Sequence, residues 1–394
     1  MPPRPSLIVA HYDEIALKGA NRRWFTGRLA RAMRDQLEGC AVEAVEPVRG
    51  RVDVRLGPTA DPGRVIERLR HVPGVASVAP MWRIPRDPDG IDEAVLALLP
   101  GVAPASFCVR VARTDKSYPL SSPVLERRIG ARIHEGLGWP VSLRHPALTV
   151  AVEIDGAGAR CGLALTPGPG GLPVGTAGRV LCLLSGGVDS ALAAWRMMRR
   201  GCRVDALHLH SVPITSDASQ RAAQAMAGFL ARGQAHVRLT RVCITDIQKH
   251  IALVAAPPLR TVLYRRTMVR IADRFARRAR VRALVTGEAL GQVASQTLEN
   301  LATIDRVASR PVLRPLIGYD KREVVDEARR LGLPRAALAD EDDCCRVYAP
   351  VAAAIRSDEA ACAAVEAEVP LEALIEAAMQ AAERVIVPPD WADD

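Results

Sequence analysis

One octapeptide stands out for the chemistry its residue types and spacing permit: Leu183-Leu184-Ser185-Gly186-Gly187-Val188-Asp189-Ser190. Its two glycines allow a ligand to approach the backbone closely, and a helix starting just after them would aim free N–H groups at an anion. Ser185 and Ser190 add hydroxyl donors. Asp189 beside phosphates can orient donors or take Mg²⁺ arriving with a nucleotide, because Mg²⁺ commonly uses one or two carboxylates plus substrate phosphates. No fixed protein metal site is expected. The segment is not a Walker A loop, since the G-x-x-x-x-G-K-[ST] spacing and its lysine are absent. A second chemical element is the adjacent pair Cys344-Cys345, directly after the acidic run 340–343. A thiolate there can carry or attack a persulfide, provided a cation such as Arg346 offsets the carboxylates that raise its pKa. Lys321 is one of only four lysines among 53 basic residues; a lysine kept in an Arg-dominated chain hints at a compact charge for phosphate, although taken alone it reads as a solvated residue at a helix start.

These groups need elements to position them. An apolar strand is expected over 180–184, then a Gly-rich turn and a helix over 190–200. Further strands over 204–208, 236–242 and 283–286 alternate with helices over 218–231 and 260–280. This alternation predicts an α/β fold with a doubly wound parallel sheet, which binds ligands at the carboxyl ends of its strands. Leu184, Leu209 and Gly287 then fall at three strand ends. Between 260 and 282 nine arginines face one acid; a solvated helix face is the usual reading of such a run, and beside a site that takes a polyanion Arg270 and Arg274 are expected to contact phosphate. The Gly/Pro-rich stretch TPGPGGLPVGTAG, 166–178, reads as a linker. The chain before it mixes strands and helices, and a break at 58–62 divides it into two smaller units.

The length of 394 residues exceeds one compact core and predicts two or three domains. A composition 49% hydrophobic and 25% charged excludes a mainly disordered chain. No apolar run approaches the roughly 20 residues of a membrane span, and the opening MPPRPSLIVAHYDE lacks signal-peptide features, so a cytoplasmic protein with no membrane partner is expected. The formal charge is +9, distributed unevenly: residues 340–394 hold 14 acids against three arginines, which leaves about +20 on the rest. The basic body suits a polyanion, while the acidic tail should stay off it and either pack on the body or meet another partner. Nine scattered cysteines without C-x-x-C exclude a disulfide framework and a structural zinc site. Apart from the adjacent pair they read as inert thiols.

SGGVDS is the signature of PP-loop ATP pyrophosphatases. The segments PVGTAGRVLCLLSGGVDSALAAWRMMRRG, ALHLHSVPITSDAS, YRRTMVRIADRFARRARVRALVTGEALGQVASQTLENL and RPLIGYDKREV resemble, in order, the tRNA 4-thiouridine synthetases (ThiI family tRNA sulfurtransferases). DEIALKGANRRWF is similar to that family's opening, and ARTDKSYPLSS and ALTVAVEID to its THUMP RNA-binding module. The resemblance spans about residues 7–350 and implies a ferredoxin-like domain at 1–60, an α/β THUMP domain at 61–166, a linker at 167–178 and a PP-loop domain at 179–394. It implies an ATP site made by Leu183, Leu184, Ser185, Gly186, Gly187, Val188, Ser190, His208, Leu209, Arg265, Gly287 and Gln296. Asp189, Lys321 and Cys344 or Cys345 would act in catalysis, and Arg22, Arg23, Arg113 and Lys116 would join the RNA contacts.

The implied reaction is ATP- and Mg²⁺-dependent adenylation of O4 of a tRNA uridine, at position 8, and its replacement by sulfur. A ThiS-like carrier in thiamine synthesis is a further expected acceptor, and a homodimer a family-level expectation. Val188 and Ala191 stand where many members have Ile and Pro, and Asp13 where a small residue is frequent. Residues 351–394 show no rhodanese loop, so the chain resembles the short form, with a cysteine desulfurase as sulfur donor. The alternatives are another PP-loop tRNA enzyme, such as a 2-thiolase, and a tRNA-binding protein without catalysis. The THUMP-like half and the intact Ser185, Asp189, Ser190 and Lys321 weigh against synthetases of free metabolites and against an inactive protein.

Overall fold

The computed structural model describes residues 3–99, 103–163, 165–334, 347–348 and 353–391. The chain divides into two compact units, Met1–Gly171 and Leu172–Asp394.

The first unit begins β1 (Leu7–His11), α1 (Arg22–Gln36), β2 (Val42–Val48), β3 (Arg51–Leu56), α2 (Pro62–Leu69) and β4 (Ser77–Ile84). Its strands lie in the antiparallel order β2-β3-β1-β4, the split βαβ arrangement of a ferredoxin-like fold. The break expected at 58–62 therefore falls inside this fold, because α2 and β4 are needed to complete it. The chain continues through α3 (Pro88–Leu98), β5 (Phe107–Arg113), α4 (Ser122–Leu137), β6 (Leu148–Asp155), β7 (Gly158–Leu163) and β8 (Thr166–Pro167). β7 pairs with β4 and extends one sheet through β6 to an edge at β5. The Gly/Pro-rich stretch thus starts as a short strand, β8, pairing with β4. Where β1, β3, β6 and β7 meet, Arg51 (5% exposed) binds Asp53, Glu153 and Asp155, and Arg160 joins Asp155. Such a buried charge cluster is tolerable only because each member is paired.

The second unit is β9 (Arg179–Leu183), α5 (Val188–Arg199), β10 (Arg203–His210), α6 (Ala218–Ala231), β11 (Val237–Cys243), α7 (Thr245–Val254), α8 (Arg260–Arg278), β12 (Ala283–Val285), α9 (Leu298–Asp305), β13 (Val312–Leu313), α10 (Lys321–Leu331), α11 (Glu359–Ala367), α12 (Leu371–Gln380) and β14 (Glu383–Val387). Its sheet runs β13-β12-β9-β10-β11-β14, parallel except for β14. Continuous apolar runs such as Val-Leu-Cys-Leu in β9 suit strands buried on both faces. One face packs on Trp195, Phe229 and Met226, the other on Tyr264, Ile271 and Phe275. The doubly wound sheet is as expected, while the antiparallel closing strand β14 is not evident from the Ala/Glu-rich tail.

Candidate active site

In this sheet the strand order reverses between β9 and β12, and a doubly wound fold opens its ligand crevice at such a point. A pocket lies there. β9 and the turn after it contribute Leu183, Leu184, Ser185, Asp189 and Ser190; β12 and its turn contribute Thr286, Gly287 and Glu288. Leu207, Leu209, Met268, Arg265 and Gln296 complete the lining. Apolar side chains with a few polar groups suit a heterocycle carrying hydrogen-bonding edges. Gln296 is 8% exposed, and its buried Oε1 accepts no hydrogen bond from protein, which leaves an acceptor for a ligand amino group. His208 is not in the lining. Its ring is buried, and its Nδ1 lies 2.9 Å from the Leu184 carbonyl oxygen, tying the ends of β9 and β10.

The loop between β9 and α5 is internally braced. Ser190 Oγ lies 3.0 Å from Ser185 Oγ and accepts from the Ser185 N–H at 3.1 Å, and Ser185 Oγ accepts from the Gly187 N–H at 3.2 Å. The hydroxyls therefore shape the loop before any ligand is bound. Gly186 packs on α6, where a side chain would meet Ala222 at 3.1 Å, and Val188 is buried in the core. Gly287 touches the same loop backbone to backbone: a Cβ there would lie 2.4 Å from the Ser190 nitrogen and 2.5 Å from the Asp189 carbonyl carbon.

Lys321 Nζ donates to Asp189 Oδ1 and Oδ2 at 2.7 and 2.9 Å, and Gln292 Nε2 donates to Oδ2 at 3.2 Å. Lys321 opens α10, whose N-terminus is fixed by a capping box of Asp320 and Glu323. A cation in the first turn opposes the helix dipole, so helix stability does not explain its place. Asp189 sits in the first turn of α5. The two helix starts thus meet through the Asp189–Lys321 pair, with Asp189 lining the pocket, and bring together a carboxylate, an ammonium and first-turn backbone N–H groups, a set suited to phosphate charge.

Sequence reasoning missed Glu288. Its carboxylate is 3% exposed and accepts from Arg265 (2.6 Å), Arg314 (2.6 Å) and Thr286 (2.7 Å). Burial pushes its pKa up, but the two guanidiniums and the hydroxyl outweigh burial and hold it below the ordinary value. Arg314 continues to Asp305, and Arg265 also reaches Ser295 Oγ at 3.1 Å. The guanidinium of Arg265 is therefore held at the pocket by partners on two sides. The only mark of Glu288 in the sequence is its place directly after Gly287, which does not single it out.

Cys344 and Cys345 lie outside the described residues. Of the seven other cysteines six are buried and Cys243 is exposed. Burial pushes the Cys182 and Cys161 thiols up to about 12, which leaves them unreactive at neutral pH. Arg22, Arg23 and Lys116 are exposed in the first unit, whereas Arg113 is spent on the Tyr118 carbonyl at 2.6 Å.

Arg270 and Arg274, expected at phosphate, have partners within the chain. Every fourth residue of α8 from Arg266 faces the acidic tail: Arg266 and Arg270 each grip Glu366 with two hydrogen bonds, Arg274 holds Glu372, and Arg278 holds Glu376. The carboxylates that hold these arginines belong to α11 and α12. The tail packs on the basic body.

Family models match in chain order: the ThiI ferredoxin-like domain over residues 7–79, the THUMP domain over 85–164 and the thiamine biosynthesis protein ThiI over 175–371. A probable tRNA sulfurtransferase of Thermus thermophilus is 40% identical over 98% of this chain and 94% of its own length. The chain belongs to the ThiI tRNA sulfurtransferase family. Another relative described in the same words, from Nocardia farcinica, is 40% identical over 95% of this chain and 92% of its own. Among solved structures, a 4-thiouridine synthetase in complex with RNA and bound ATP superposes with a TM-score of 0.84 at 29% identity, covering 98% of this chain and all of that one. PH1313 of Pyrococcus horikoshii shares the fold, with a TM-score of 0.63 at 21% identity over 83% of this chain and 99% of its own. The ThiI ferredoxin-like model ends within β4, in keeping with a first domain that includes α2. No helix among the described residues is long and apolar enough to cross a membrane.

Proposed function

We propose that this ThiI-family chain uses ATP to replace O4 of a tRNA uridine, at position 8, with sulfur, giving 4-thiouridine. The observation that carries the reading is the Asp189–Lys321 pair at the converging starts of α5 and α10, beside the pocket at the sheet's reversal point. The adenine lies among Leu183, Leu209 and Met268 with Gln296 Oε1 accepting from its amino group, and the phosphates lie along the β9–α5 loop. Uridine O4 attacks the α-phosphorus, the bond to the bridging oxygen breaks and pyrophosphate leaves. Loop N–H groups, Lys321 and Arg265 offset the negative charge that builds on phosphorus-bound oxygens.

Asp189 fits Mg²⁺: it is a hard oxygen donor at the phosphate end, and no set of three acidic, His or Cys side chains gathers among the described residues to rival it. The ion, when bound, supplies further neutralisation of phosphate charge. Sulfur arrives as a persulfide on Cys344 or Cys345, loaded by a cysteine desulfurase. Its terminal sulfur bonds to C4, the C4–O4 bond breaks and AMP leaves with O4. A dithiol reductant then cleaves the S–S bond and leaves the sulfur on uridine. Exposed Arg22, Arg23 and Lys116 serve phosphate contacts in the ferredoxin-like and THUMP parts, which read structured RNA by shape and backbone. The same persulfide could serve a ThiS-like carrier, with C-terminal adenylation replacing that of uridine. The test is pyrophosphate release with ATP and unmodified tRNA. Wild type should release it only with tRNA, Asp189→Ala should lose most of that release, and a wild type without tRNA-dependent release overturns the reading.

A further inference from the structure

The turn after β12 meets the site twice. Gly287 packs its backbone against the phosphate loop, and Glu288, the next residue, sets a buried carboxylate into the pocket wall. β12 and β13 pair with Val285 opposite Leu313, and the Thr286 N–H donates to the Leu313 carbonyl, so Arg314 leaves its strand beside Glu288. Arg314 also clasps Asp305, the last residue of α9, with hydrogen bonds of 2.6 and 2.9 Å. Glu288 Oε2 accepts from Arg314 and Thr286, and Oε1 accepts from Arg265. Four charges thus run in series, Asp305, Arg314, Glu288 and Arg265, and of these Glu288 and Arg265 line the pocket.

Stability does not account for this series, because burying ions costs about what their pairing returns and apolar side chains of similar size serve as well or better. Nor is Glu288 suited to move a proton. Although burial pushes its pKa up, the two guanidiniums and the hydroxyl hold it below the ordinary value, so at neutral pH it is a weak base and carries no proton to give. What the series does is restrain a long, rotatable side chain at the ligand's edge. Ser295 Oγ holds the other side of the Arg265 guanidinium at 3.1 Å.

We propose that Glu288 is a positioning residue for ATP cleavage: its carboxylate, steadied by Arg314, Asp305 and Thr286, sets the Arg265 guanidinium where charge builds on the oxygens of the α-phosphorus. An arginine restrained beforehand gives up no freedom as the transition state forms. The inference rests on the adenylation proposed above, and the two fail differently.

The experiment compares the full chain as wild type, Glu288→Gln, Arg265→Ala and the double variant, with ATP and unmodified tRNA. Gln keeps the size of the side chain and removes the charge that holds the guanidinium. The readouts are kcat and the KM for ATP of tRNA-dependent pyrophosphate release, beside a thermal melt. In Glu288→Gln kcat should fall about 100-fold with KM within about threefold of wild type. Arg265→Ala should lose at least as much. Adding Glu288→Gln to Arg265→Ala should change kcat by less than about twofold, because a residue that acts through Arg265 then has nothing to act on. Glu288→Gln also leaves Arg314 with one carboxylate fewer, so the same four proteins are made with Arg314→Met, which lifts that burden on folding; the coupling between positions 288 and 265 should persist there. Losses that multiply in the double variant, a loss carried by KM alone, or a kcat within about threefold of wild type in either single variant overturns the proposal. Absence of tRNA-dependent pyrophosphate release in wild type overturns the function itself.

Discussion

Gly287→Ala isolates the close approach between the β12 turn and the phosphate loop. The added Cβ would sit 2.4 Å from the Ser190 nitrogen, 2.5 Å from the Asp189 carbonyl carbon and 2.7 Å from its oxygen. All three are backbone atoms, so no flexible side chain can yield, and the loop must retreat about 1 Å to reach ordinary contact near 3.5 Å. A displacement of that size in a positioning element costs on the order of 10²-fold in rate, because Asp189 moves with the loop. Overpacking of this kind costs about 1–3 kcal/mol, which a domain with about 5–15 kcal/mol of stability survives. The assay is tRNA-dependent pyrophosphate release, beside tRNA affinity by filter binding and a thermal melt. Release should fall about 100-fold with tRNA affinity unchanged. Gly318→Ala, where an added Cβ meets nothing within 4 Å and φ is not positive, should leave all three unchanged. A folded Gly287→Ala protein with release within about threefold of wild type would refute the claim that this contact positions Asp189.

Lys321→Ala should separate catalysis from stability. The Lys321 side chain is 52% exposed, so its pair with Asp189 contributes at most about 1 kcal/mol, whereas loss of a charge aimed at the transition state costs on the order of 10²-fold or more in rate; equal small losses in both would count against its role. The acidic tail should be graded: Glu366→Ala leaves Arg266, 3% exposed, buried without its carboxylate and should cost about 3–5 kcal/mol in urea unfolding, while Glu372→Ala, at a carboxylate 79% exposed, should cost less than about 1 kcal/mol. Burial pushes Asp155 up, but Arg51 and Arg160 hold it down to about 2 from an ordinary 3.8. Its folded-state value is depressed, so the stability it contributes is present above 3.8 and lost as pH falls toward 2. Asp155→Asn should therefore be less stable than wild type at neutral pH, with the gap closing across that window; a gap that stays constant would show that the charge is not the cause.

The PP-loop sheet was legible because its signals are local: apolar-rich strands of four to seven residues, a Gly-Gly turn, and helices of clear period. Gly287 was legible as a strand end and the role of Lys321 through its match to a family, but spacing alone does not bring residues 189, 287 and 321 together. Glu288 was not, because a single acid acquires meaning only when Arg265 and Arg314 arrive from distant elements. The partners of the α8 arginines were not legible for the same reason. The arginine stripe does not announce Glu366, Glu372 and Glu376 as partners, because those acids lie about 100 residues away in sequence and only the fold brings them to α8. The tail also proved structural: Cys362 and Ile375 are buried in the core and β14 closes the sheet, so glutamate substitutions rather than a deletion are the proper probe of its charge.

The central claim is that one site couples ATP cleavage to sulfur insertion in tRNA. The most direct measurement follows AMP and 4-thiouridine together, by mass spectrometry of nucleotide and digested tRNA, in a reaction with ATP, unmodified tRNA, a cysteine desulfurase and cysteine. The account predicts that both rise in equal amounts, that the sulfur maps to the uridine at position 8, and that both vanish when tRNA is omitted. AMP formed without tRNA, or consumed ATP with no sulfur in the tRNA, would contradict it.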